Sequence, residues 1–171
     1  MMESRVKLFG HPVHPMLVVF PLGLLATGLI FDVLYLLTGT EGFPVASFWM
    51  ITAGIIGGLI AAVFGLLDWL NIPAGTRANT LGLAHGVGNF IIVVLFAISW
   101  FIRRGRVDYA PDGLPFILEL VGGGLALITG WLGGELVYRL RVGVDEGAHL
   151  DAPSSLSDQP ASAGDRRSAA R

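Results

Sequence analysis

The stretch MLVVFPLGLLATGLIFDVLYLL, from Met16 to Leu37, decides the fold class. It is continuously apolar and carries a single charged side chain, Asp32. At about 1.5 Å of rise per residue, such a run is long enough to cross a hydrocarbon core of roughly 30 Å as one α-helix. Pro15 suits the first turn of that helix, where a missing N–H costs nothing. Pro21 lies deeper, and its ring is expected to kink the helix against the carbonyl of Leu17.

Three more runs of the same kind follow. They cover about Ser47–Leu70, Leu81–Ile102 and Leu114–Tyr138. The segments between them are short and turn-rich: TGTEGFP after Leu37, NIPAGTRANT after Leu70 and RRGRVDYAPDG after Ile102. Loops this short make neighbouring helices antiparallel. The expected fold is all-α, a four-helix transmembrane bundle running up and down. It occupies residues 8–143, and a disordered polar tail follows over 144–171.

Composition agrees. Hydrophobic residues make up 53% of the 171 and charged residues 14%, with a mean hydropathy of +0.69. A soluble domain of this size needs more charge to cover its surface. The net charge of −2 argues against a nucleic-acid surface. The absence of cysteine excludes disulfides and thiolate-bound metal in this chain. The first run holds Pro21 and Asp32 and precedes no small-x-small cleavage site, so it reads as a retained helix and not a signal peptide. Four spans place both termini on one side, together with Arg5, Lys7, Arg77, Arg139 and Arg141. The other side has Arg103, Arg104 and Arg106. The excess favours cytoplasmic termini in a bacterial inner membrane. Trp49, Trp69, Trp100 and Trp131 stand towards span ends, as interfacial anchors do. Glycine and alanine stripes, Gly54-Gly58-Ala61-Gly65 and Gly122-Ala126-Gly130, read as helix-packing surfaces.

Ionisable side chains in apolar spans are costly and mark candidate sites. Span order alone puts His11, His14, Asp68, His85, Asn89 and Glu135 at one membrane face. His11 and His14 precede or open the first span, and His85 opens the third with Asn89 one turn deeper. Asp68 and Glu135 close the second and fourth. Helix N-termini disfavour positive charge, so the histidines are expected neutral, the form that binds metal or haem iron. Two carboxylates near helix C-termini call for a cation. A divalent metal held by His11, His14, Asp68, His85 and Glu135 answers both needs. So does haem b between His14 and His85, with Asn89 orienting His85. The plain structural alternative pairs Glu135 with Arg139 and Asp68 with Arg77, and lets His14 cap its helix. Asp32 and Glu119 lie towards the opposite face as a second polar layer, a protonated pair or solvated boundary residues, and the last is the expectation.

The segments GHPVHPMLVVFPLG (Gly10–Gly23), GLLDWLNIPAGTRA (Gly65–Ala78) with His85 and Asn89, and GWLGGELVYRLRVGV (Gly130–Val144) resemble a bacterial four-helix membrane family. That family is catalogued as a domain of unknown function. The resemblance implies a small multi-pass membrane protein, with motif residues at His11, His14, Asp68, His85 and Glu135. Some relatives are joined to a Rieske-type iron–sulfur domain, which implies electron transfer. These 171 residues contain no such domain, and without cysteine they cannot build its cluster.

Three functions therefore remain. The first is a haem- or metal-binding electron-transfer component, with a redox partner protein in the bilayer. The second is divalent-metal or proton handling, which four spans would achieve through oligomerisation. The third is a non-catalytic anchor or assembly module. Nothing marks a catalytic residue, and a non-enzymatic role is the expectation.

Overall fold

The computed structural model describes residues 2–164. Four helices carry the chain: α1 (Val13–Thr38), α2 (Phe43–Trp69), α3 (Arg77–Arg103) and α4 (Leu114–Gly134). The last continues into a π-helical turn at Glu135–Arg139. All four are long and apolar enough to span a membrane, and at most 22% of each apolar window is buried within the protein. Val19, Phe20, Phe90 and Leu127 point outward with most of their surface free. The apolar exterior is the arrangement lipid requires.

Local chemistry sets the helix ends. α1 stops at Gly39, whose left-handed φ of 67° lets its N–H bond the Tyr35 carbonyl at 2.8 Å. α2 and α4 both open with a glycine followed by proline in the first turn, Gly42-Phe43-Pro44 and Gly113-Leu114-Pro115. α3 begins in the polar segment Arg77–Thr80, before the apolar run. The Thr76 hydroxyl accepts from the Asn79 N–H at 3.2 Å and caps it. α1 runs unbroken through Pro21, which is buried beside Gly57 and Gly58 of α2.

Before α1, β1 (Lys7–Leu8) and β2 (His11–Pro12) form a small antiparallel hairpin. Met2 pairs with Val142, so the N-terminal arm lies along the exit of α4. The tail forms turns through Gly164 without helix or strand, and residues 165–171 lie outside the described part.

The bundle consists of two hairpins, α1–α2 and α3–α4, that repeat one packing scheme. The buried positions of α1 are Pro21, Leu25, Gly28 and Asp32. Residues 71 positions further on, Ile92, Phe96, Ser99 and Arg103, are buried in α3. The buried positions of α4 are Pro115, Glu119, Gly122 and Thr129. They fall 68 positions after Ser47, Ile51, Gly54 and Ala61, which are buried in α2. Gly54 accommodates Leu25 of α1, and Gly122 accommodates Phe96 of α3. In each case a Cβ on the glycine would come within 2.8 Å of the facing side chain. Leu25, Ile51, Ile92 and Phe96 together form the apolar centre. Asp32 and Arg103 are equivalent positions that touch each other, so they lie on the approximate twofold relating the halves.

The tryptophans divide. Trp49 and Trp131 are exposed, as anchors should be. Trp69 and Trp100 are partly buried. Trp69 donates to the Asn79 carbonyl at 3.0 Å and Trp100 to the Thr52 hydroxyl at 2.8 Å, tying neighbouring helices together.

Candidate functional site

Two polar layers occupy the two ends of the bundle. The layer on the side of the termini is built around His14 and His85, again 71 positions apart. His14 sits in the first turn of α1. Its Nδ1 lies 2.9 Å from the Ala61 carbonyl of α2, and its ring rests where a Cβ on Gly65 would be. His85 repeats this on the second hairpin. Its Nδ1 lies 2.9 Å from the Thr129 carbonyl of α4, and its ring covers Gly133. Ala61 and Thr129 are equivalent positions, as are Gly65 and Gly133. A carbonyl only accepts, so Nδ1 of each ring donates and carries the proton. Nε2 of each neutral imidazole then keeps its lone pair.

Asn89 completes this layer. Its Nδ2 donates to the His85 carbonyl at 2.8 Å and lies 3.2 Å from His85 Nε2. Its Oδ1 accepts from the Thr129 hydroxyl at 3.3 Å. Asn89 therefore occupies the lone pair of His85.

The other expected residues lie apart from this pair. His11 is on β2, exposed, with Nε2 at 3.2 Å from the Ser155 hydroxyl. Asp68 accepts from the Ser4 hydroxyl at 2.6 Å. It does not pair with Arg77, as the structural alternative had it. Arg77 opens α3 beside the end of α4 and binds Glu135 instead, at 2.8 Å. Arg139 stands 3.9 Å from the same carboxylate. Among the described residues no three His, Asp or Glu side chains group closely enough to hold a metal ion. The five expected ligands His11, His14, Asp68, His85 and Glu135 thus do not form one shell. His14 is not a cap either, since Pro12 stands at the N-cap and makes no side-chain bond.

The opposite layer overturns an expectation. Asp32 and Glu119 are not solvated boundary residues; both are fully buried, and so is Arg103. Arg103 Nη1 bonds Asp32 Oδ2 and Glu119 Oε1, each at 2.7 Å, and Nη2 bonds Asp32 Oδ1 at 2.9 Å. The guanidinium also donates to the Pro44 and Tyr109 carbonyls. Ser47 donates to Asp32 at 2.6 Å, and Ser99 donates to Glu119. Arg103 is thus set apart from its neighbours Arg104 and Arg106, with which its place in the loop sequence groups it. The missing signal was its spacing: it stands 71 positions after Asp32, as His85 does after His14.

The architecture is that of a multi-pass helical membrane protein. The chain belongs to the family described as predicted membrane protein (DUF2231), whose model matches residues 10–146. No curated protein and no solved structure matches it.

Proposed function

We propose that this chain is a haem-binding electron-transfer component of the membrane, with His14 and His85 as axial ligands. The observation that carries this reading is the matched hydrogen bonding of the two rings. Each Nδ1–H is fixed by a backbone carbonyl of the neighbouring helix, which aims the basic Nε2 and raises its basicity. Haem suits the pair better than a bare ion does. The porphyrin supplies four ligands of its own, whereas protein metal sites generally assemble three or four side chains. A ligand reaching His85 Nε2 displaces the Asn89 amide.

Transport of protons or metal ions through the bundle draws no such support. Leu25, Ile51, Ile92 and Phe96 fill the space between the two polar layers. The anchor or assembly reading is favoured by one feature: Asn89 already satisfies His85, so the layer is complete as packing.

The deciding experiment is a visible spectrum of detergent-purified protein before and after dithionite. A Soret band with sharp reduced α and β bands is expected, lost in His14→Ala and in His85→Ala and kept in Asn89→Leu. A featureless spectrum from cells supplied with haem discards the cytochrome reading and leaves the assembly module.

We propose separately that both termini face the cytoplasm from a bacterial inner membrane, on the distribution of basic residues. With Arg103 withdrawn into the protein, only Arg104 and Arg106 remain near the opposite face. Arg5, Lys7, Arg77, Arg139 and Arg141 flank the terminal face.

A further inference from the structure

The ion cluster at the far end of the bundle holds one positive and two negative groups. Arg103 cannot lose its proton in a protein, so its contribution is fixed at one positive charge. Asp32, Glu119 and Arg103 are all sealed, with no accessible side-chain surface. The hydrogen bonds are unevenly shared. Asp32 receives Arg103 on both oxygens and Ser47 on one. Glu119 receives Arg103 and Ser99 on Oε1 alone. Its Oε2 is buried and meets no partner. An anionic Oε2 would have no donor of its own, with Arg103 and Ser99 reaching the carboxylate through Oε1 alone. Leaving an ionised oxygen unbonded in the interior costs more than leaving a neutral hydroxyl unbonded there.

We propose that Asp32, Arg103 and Glu119 together bind one slowly exchanging proton, carried by the Glu119 carboxyl, at the membrane face opposite the termini. The proton makes the cluster neutral, and unlike a metal ion it needs no cavity. Asp32, with donors on both oxygens, takes the ionised role, and Glu119, with Oε2 unbonded, takes the acid role. The groups facing the cluster are Asp32 from α1, Ser47 and the Pro44 carbonyl from α2, and Arg103 and Ser99 from α3. The Tyr109 carbonyl completes the set from the α3–α4 connection. Nearby on that connection, Arg104 lies over the Phe101 ring, and Arg106 donates to the Ala110 and Asp112 carbonyls. Release of the proton leaves a buried net negative charge. The sealed packing of the cluster disfavours that charge and so holds the proton in place. The site is independent of the histidine pair.

Infrared difference spectroscopy of the full chain in lipid, in H₂O and D₂O at neutral pH, tests this. The wild type should show the C=O stretch of a protonated carboxyl, resistant to rapid deuterium exchange. Glu119→Gln should remove it. Asp32→Asn should remove it as well, because Glu119 then ionises as the sole partner of Arg103. Circular dichroism and gel filtration check that each variant folds, and if Asp32→Asn fails, Glu119→Gln carries the test. Absence of the band in the wild type, or its survival in Glu119→Gln, overturns the proposal. So does stabilisation by sodium in a protein without the band, which would make the ligand a cation.

Discussion

The two ends of the bundle use the same helix positions for opposite purposes. Positions 14 and 85 both carry histidine, and each ring is half-buried and bonded to the neighbouring helix of its own hairpin. Positions 32 and 103 carry aspartate and arginine, fully buried and bonded to each other across the approximate twofold. One end repeats a residue and keeps a basic nitrogen on each half. The other breaks the repeat with opposite charges and seals them. The identical pair leaves a basic nitrogen on each half, and the complementary pair locks the two halves together.

The largest expected effect comes from breaking the lock. Arg103→Leu leaves the Asp32 carboxylate buried beside Glu119 without a cation, a loss of about 3–5 kcal/mol. Thermal melts in detergent should show a strongly destabilised or unexpressed protein. His14→Ala, at the other end, removes one hydrogen bond of a half-buried ring and should cost only about 1 kcal/mol. Comparable losses for both variants would end the distinction drawn between the two ends.

A smaller effect separates the hairpin seams from the outer surface. In Gly54→Ala the new methyl comes within 2.7 Å of Leu25 Cδ2, at the contact its counterpart Gly122 makes with Phe96. The expected cost is about 1–3 kcal/mol. Gly130→Ala, with nothing within 4 Å of its Cβ, should be neutral or slightly stabilising, since alanine is the better helix former. Equal melting temperatures for the two variants would contradict the packing scheme.

The spans were legible because four apolar runs need no partner to be recognised. Their starts were less so: hydropathy does not register Arg77–Thr80 as helix, although Thr76 caps it. The histidine face followed from alternation of direction alone. The ion cluster did not, since which of Arg103, Arg104 and Arg106 turns inward depends on helix rotation. The repeat was hidden for a related reason. Packing preserves size and position, so Leu25 answers Phe96 and Ile51 answers Glu119 with little shared identity.

The smallest effect belongs to the terminal end, where Lys7 joins Glu3 and Asp145 and so ties the N-terminal arm to the tail. The Lys7 hydrogen bond, then the Glu146 N–H, then the Lys7 charge hold the Glu3 carboxyl below its ordinary 4.5. Hydrogen bonds to Asp145 and then to Glu3 raise Lys7 above its ordinary 10.5. Glu3 therefore contributes fully above pH 4.5 and loses its contribution as pH falls through its lowered value. Lys7 contributes fully below pH 10.5 and loses its contribution as pH rises through its raised value. Between those limits the clasp is insensitive to pH. Both partners are solvated, so its worth is small. Hydrogen exchange at the Glu146 N–H, which donates to Glu3 at 3.1 Å, should quicken beyond the ordinary base-catalysed trend only outside that window. A step near neutral pH would instead place a titrating histidine in the clasp, and the terminal end would then respond to protons through its imidazoles.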